Sequence, residues 1–85
     1  MARTITIIVP ATLALSADAE AVTWTEDADG CWSTPEGDYA QHDHDEWQGS
    51  DAHGLVDEWT ADAGLSAEAA LRALTLDIYQ ALAAD

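Results

Sequence analysis

Threonine alternates with isoleucine over Arg3-Thr4-Ile5-Thr6-Ile7, and the run then turns continuously apolar through Ile8 and Val9. That pattern predicts a strand, buried towards its end. Pro10 closes it, because proline has no N–H for a ladder and suits the first turn of a helix. Residues 11–21 fit either a short helix or a turn: alanine favours the first, the two-apart spacing of Leu13 and Leu15 the second. Val22-Thr23-Trp24-Thr25 predicts a second strand and Cys31-Trp32-Ser33-Thr34 its return. Asp29-Gly30 between them supplies hairpin chemistry, since glycine tolerates the positive φ such turns need. Trp24 and Trp32 are then candidates to pair across one face.

Beyond Pro35 the alternation fades: Glu36–Trp47 has no clean period and fits a loop, a further edge strand or a short helix. Ser50 resembles a helix N-cap with Asp51 in the first turn. Leu55, Val56 and Trp59 share a helical face, and Gly64 offers the left-handed position that ends a helix. These signals predict a helix over residues 50–63. Ser66 caps another, with Glu68 in its first turn and an apolar stripe of Leu71, Leu74, Ile78 and Leu82. The expected fold is α+β: a small N-terminal antiparallel sheet followed by two or three short helices, in one compact domain over residues 1–85.

Composition makes that core thin. Alanine supplies 18 of the 85 residues, while Leu, Ile, Val and Phe together number 15. Highly charged chains with fewer than ~20% of these four often remain disordered, so the four Trp and two Tyr must provide much of the buriable surface. Charge alters the functional picture more. Seventeen acids face two bases, a formal net charge of −15. Phosphate binding rests on Lys and Arg, and only Arg3 and Arg72 exist. Direct nucleic-acid binding and docking on anionic membranes are therefore excluded. No apolar run approaches the ~18 residues of a membrane span. The opening imitates a secretory signal, with Ala17-Asp18-Ala19 as a small-x-small site, but Thr6, Pro10 and Thr12 interrupt its apolar region. A single cysteine, Cys31, fits a reducing compartment.

Between Asp18 and Asp62 lie 14 acids and no base. An ordinary surface mixes both signs. On a helix over residues 50–63, Asp51, Glu58 and Asp62 would occupy a narrow sector, the last two about 6 Å apart along the axis. That spacing approaches two ~3.4 Å steps of a nucleic-acid strand. Asp43, Asp45 and Glu46 before the helix extend the field, together with Glu36 and Asp38, and Trp47 and Trp59 are the candidate hydrophobic anchors. Such an array can enter a groove whose Arg and Lys are built for phosphates.

In its size, its acid run from Asp18 to Asp62 and its strand-plus-helix organisation, the chain resembles the small acidic anti-defence proteins of phages and mobile elements, particularly anti-CRISPR proteins and anti-restriction DNA mimics. The resemblance spans the chain loosely and carries no diagnostic motif, so no residue role is transferred. It implies a non-enzymatic inhibitor, without cofactor, in the cytoplasm of a bacterial host. Its partner would be the basic DNA-binding groove of a CRISPR effector, above all a type I interference complex, or of a restriction enzyme. Repulsion between two −15 surfaces favours a monomer.

Two other readings use the same residues. The acids also suit a halophilic accessory protein whose carboxylates serve hydration, consistent with the absence of Lys. The Arg3-Thr4-Ile5-Thr6-Ile7 opening followed by Pro10 resembles that of ribbon-helix-helix antitoxins; its threonines do not suit DNA reading, which leaves an antitoxin-like binder of a basic protein. His42 and His44, with Cys31 or His53, form the one cluster with metal-ligand chemistry, but no CxxC or HExxH pattern supports it. No nucleophile elbow or phosphate loop is present.

Overall fold

The computed structural model describes residues 3–14 and 18–84. Six strands, β1 (Thr4–Val9), β2 (Glu20–Ala28), β3 (Cys31–Ser33), β4 (Tyr39–His42), β5 (Glu46–Ser50) and β6 (Trp59–Asp62), form one antiparallel sheet in sequence order. The sheet curls into a half-barrel. A four-residue helix, α1 (Ala11–Ala14), follows β1, and one long helix, α2 (Ala67–Ala84), follows β6. The expected small sheet with two or three helices is thus corrected to a mostly β meander closed by a single long helix.

The N-terminal expectations hold. β1 pairs with β2 from Thr4↔Thr25 to Val9↔Glu20. Pro10 starts α1, its carbonyl accepting from the Leu13 and Ala14 amides. Gly30 takes φ +79° in the β2–β3 turn. Of residues 11–21, which sequence left between helix and turn, 15–17 lie outside the described residues. Trp24 and Trp32 share a face, but the β2 residue opposite Trp32 is Glu26, so the two indoles are diagonal neighbours and not direct cross-strand partners.

The helix expected over residues 50–63 does not form. Ser50 belongs to β5, opposite Tyr39, and Trp59 to Asp62 form β6. Between them Gly54 has φ +77°, a conformation outside any right-handed helix. The spacing of Leu55, Val56 and Trp59 suggested one helical face; instead Trp59 and Ala61 alternate with Thr60 and Asp62 along a strand.

Pairing assigns the faces. Ile5, Ile7 and Val9 share the inner face with Val22, Trp24, Trp32, Ala40, Trp47, Gly49, Trp59 and Ala61. Against this face α2 buries Ala70, Leu71, Leu74, Thr75 and Ile78. Thr75 accepts the Trp24 indole N–H at 2.9 Å and donates to the Leu71 carbonyl at 2.6 Å. Ser66 caps α2 as its sequence predicts, accepting from the Ala69 amide at 3.2 Å. Helix and sheet approach closely at Gly49, where a Cβ would stand 2.7 Å from Leu74 Cδ2 and 3.1 Å from the Trp59 ring. The outer face is polar and largely uncharged: Thr4 and Thr6 on β1, Thr23 and Thr25 on β2, Ser33 on β3, Gln41 on β4 and Gln48 on β5.

Candidate functional site

A meander places its connections alternately at two ends of the sheet. At one end, the turn end, lie the short connections β2–β3, β4–β5 and β6–α2. At the other, the loop end, lie the longer β1–β2, β3–β4 and β5–β6 connections. The 14 acids of the base-free run divide between these ends: no central strand position carries one.

At the turn end stand Glu26, Asp27, Asp29, Asp43, Asp45, Glu46 and Asp62. Successive connections here are two strands apart, about 10 Å at ~4.8 Å per strand. Glu46 and Asp62 are direct cross-strand partners on the outer face, and like charges so placed repel. Glu46 accepts from the Gln48 amide at 3.2 Å and Asp62 from the Gly64 N–H at 2.8 Å, both neutral donors. Asp43 accepts from the His44 N–H at 2.6 Å, and Asp27 from the Ser33 hydroxyl.

Both basic side chains are already engaged. Arg3 grips Glu26 through two bonds of 2.7 and 2.8 Å. The bond from Arg3, with the Gly30 N–H, holds the Glu26 carboxyl down at about 2. Arg72 pairs with Glu68 at 3.2 Å on α2. Asp29, Asp43, Asp45, Glu46 and Asp62 therefore have no ion-pair partner among the described residues.

Of the eight candidate partner-binding residues, Asp43, Asp45, Glu46 and Asp62 gather at the turn end. The other four do not join them. Trp47 is 2% exposed in the core, its indole N–H donating to the Leu65 carbonyl, which leaves no face for a partner. Trp59 is half-buried and donates to Asp77 at 2.9 Å. Glu58 is exposed at the loop end, and Asp51 is buried there. Asp51 accepts from the Val56 and His53 amides at 2.8 and 3.1 Å. Burial pushes its carboxyl up, yet the N–H donors of Val56, His53 and Leu55 outweigh this and leave it below its ordinary value. The helical sector of Asp51, Glu58 and Asp62 is accordingly corrected: β6 separates Asp62 from the other two.

The histidine–cysteine cluster is dispersed. His42 stacks on Trp47 at 4.6 Å with Nε2 on the Ala63 carbonyl, Cys31 lies on the outer face near the Tyr39 hydroxyl, and His53 is at the loop end. Among the described residues no three His, Cys, Asp or Glu side chains converge as a metal site requires.

Sequence reasoning did not single out Asp27, Asp29 or the Arg3–Glu26 pair. The Asp29-Gly30 turn signal placed that acid at a sheet end; the strand count needed to know which others join it was missing. No family model, curated protein or solved structure matches the chain. No described helix is long and apolar enough to cross a membrane.

Proposed function

We propose that the protein is a non-enzymatic inhibitor whose turn-end acids dock on a basic, nucleic-acid-binding surface. A bacterial defence complex of the CRISPR or restriction type is the partner class, with a type I interference complex first. The observation that carries this reading is the direct opposition of Glu46 and Asp62, with Asp43 and Asp45 at the same end and none of the four in an ion pair among the described residues. A fold gains nothing from that arrangement on its own, whereas a groove lined with Arg and Lys supplies charge-assisted donors to every member. Spread over neighbouring connections, the rim presents carboxylates at intervals in place of phosphates. It replaces the helix as the mimic surface.

The test is pull-down against interference complexes and restriction enzymes, with and without competing target DNA. Reversal of the rim by Asp45→Lys with Asp62→Lys is expected to abolish capture. Reversal of the loop-end pair Asp57→Lys with Glu58→Lys is expected to preserve it. Circular dichroism verifies that both variants fold. Capture that persists beside bound DNA defeats the mimic reading, as do equal effects of the two reversals. A fold lost at about 0.15 M salt, where repulsion is screened beyond ~8 Å, and regained only at molar salt would establish the halophilic alternative.

A further inference from the structure

At the loop end, α2 stands away from the sheet and leaves a cleft of about 280 Å³ between its C-terminal half, the start of β2 and the β3–β4 connection. That volume is close to the ~300 Å³ at which small-molecule pockets begin. Its floor is apolar: Val22 and Trp24 from β2, Ile78 from α2, and Leu82, 41% exposed, at the lip. Its rim is anionic. Glu20 comes from β2, and Glu36 and Asp38 from the β3–β4 connection.

Asp38 is fixed in place, accepting from the Thr34 hydroxyl and the Ala52 amide at 2.9 Å each. The Tyr79 hydroxyl donates to Glu20 Oε2 at 2.6 Å, which engages one oxygen of that carboxylate. Burial first, then Glu20, Glu36 and Asp38, push the Tyr79 phenol up to about 12. Nothing offsets them. Arg3 is paired with Glu26 at the turn end and Arg72 with Glu68 in the early turns of α2. The last turn of α2 carries no basic side chain, and the carbonyls there add negative potential.

An apolar floor beside the Glu20 and Glu36 carboxylates, with no basic side chain in the lining, is complementary to one chemistry. We propose that the cleft binds a small organic cation, a primary ammonium on an apolar chain, with the chain against Val22, Ile78 and Leu82 and the ammonium between Glu20 and Glu36. The site is at the opposite end from the acidic rim and does not rest on the inhibitor reading.

Hexylammonium, titrated into the full chain at about 0.15 M salt and followed by amide NMR, tests this. Saturable shifts at Val22, Ile78, Tyr79 and Leu82 are expected, with hexanol and ammonium chloride each binding about tenfold or more weakly, the factor that ~1.4 kcal/mol represents. Glu20→Gln with Glu36→Gln, both at exposed positions, should weaken hexylammonium by about the same factor. Glu46→Gln with Asp62→Asn removes equal charge at the turn end and should leave binding unchanged. Equal losses in the two double variants would reduce the effect to diffuse attraction by a −15 protein. Equal affinity for hexanol, or shifts that never saturate, would also overturn the site; these readouts on the unaltered chain do not depend on how a variant folds.

Discussion

The two ends of the sheet carry the same residue type in equal number and use it in opposite ways. At the loop end, Asp38 and Asp51 are 8% and 7% exposed and collect N–H or O–H donors from the loops around them. There a carboxylate is an acceptor for backbone that has left the ladder. At the turn end Asp43 and Asp62 accept amides one and two residues on, yet both stay exposed, and Glu46 confronts Asp62. Net charge alone does not say which acids are available to a partner. Whether each is buried among donors, as Asp38 and Asp51 are, does.

The sharpest way to break this contrast is Asp51→Ala, which strands the Val56 and His53 amides. Bonds to charged groups contribute ~1.5–3 kcal/mol each, and a loss of about 2–3 kcal/mol in urea unfolding is expected. Because the Asp51 carboxyl lies below its ordinary value when folded, its contribution is complete at neutral pH and disappears as pH falls through that lowered value.

A smaller effect of opposite sign is expected at the turn end. Glu46→Lys turns a like-charge pair into an opposite one across from Asp62 and should stabilise by about 0.5–1 kcal/mol, read as a rise of a few degrees in thermal midpoint. Stability unchanged or reduced would mean that Glu46 and Asp62 do not repel in the folded chain.

Two pH profiles sharpen the comparison further. Glu26 falls from 4.5 to about 2 on folding, so its stabilisation is present above pH 4.5 and lost as pH drops towards 2. Arg3→Met should flatten that acid limb in thermal unfolding. Tyr79 is raised from 10.0 to about 12, so its contribution is present below pH 10 and lost as pH rises towards 12. Tyr79→Phe should flatten the alkaline limb, and the tyrosinate absorbance of the parent protein should develop correspondingly late.

What the sequence disclosed follows a physical line. β1, the Asp29-Gly30 turn and α2 announce themselves because their patterns are strong locally: β-branched alternation, a glycine with positive φ, a capped helical stripe. β4, β5 and β6 do not, because their inner positions are filled by Ala40, Gly49 and Ala61 between Trp47 and Trp59. A small residue under a neighbouring indole packs well yet leaves no hydrophobic period. Gly49 is small because Leu74 and Trp59 occupy its space, a demand made by distant parts of the chain. The candidate site shared this fate. Its acids were plain from composition, but which of them meet depends on whether six strands or three precede α2.

That order has a consequence for synthesis. Every strand neighbours the one made just before it, so the sheet can assemble hairpin by hairpin as the chain emerges. Its inner face, with Trp24, Trp32 and Trp47, nevertheless stays uncovered until the 18 residues of α2 arrive. Until α2 docks, the chain displays an apolar wall. The carboxylates at both ends are already in place by then. Their mutual repulsion opposes association of neighbouring chains through that wall while it is uncovered.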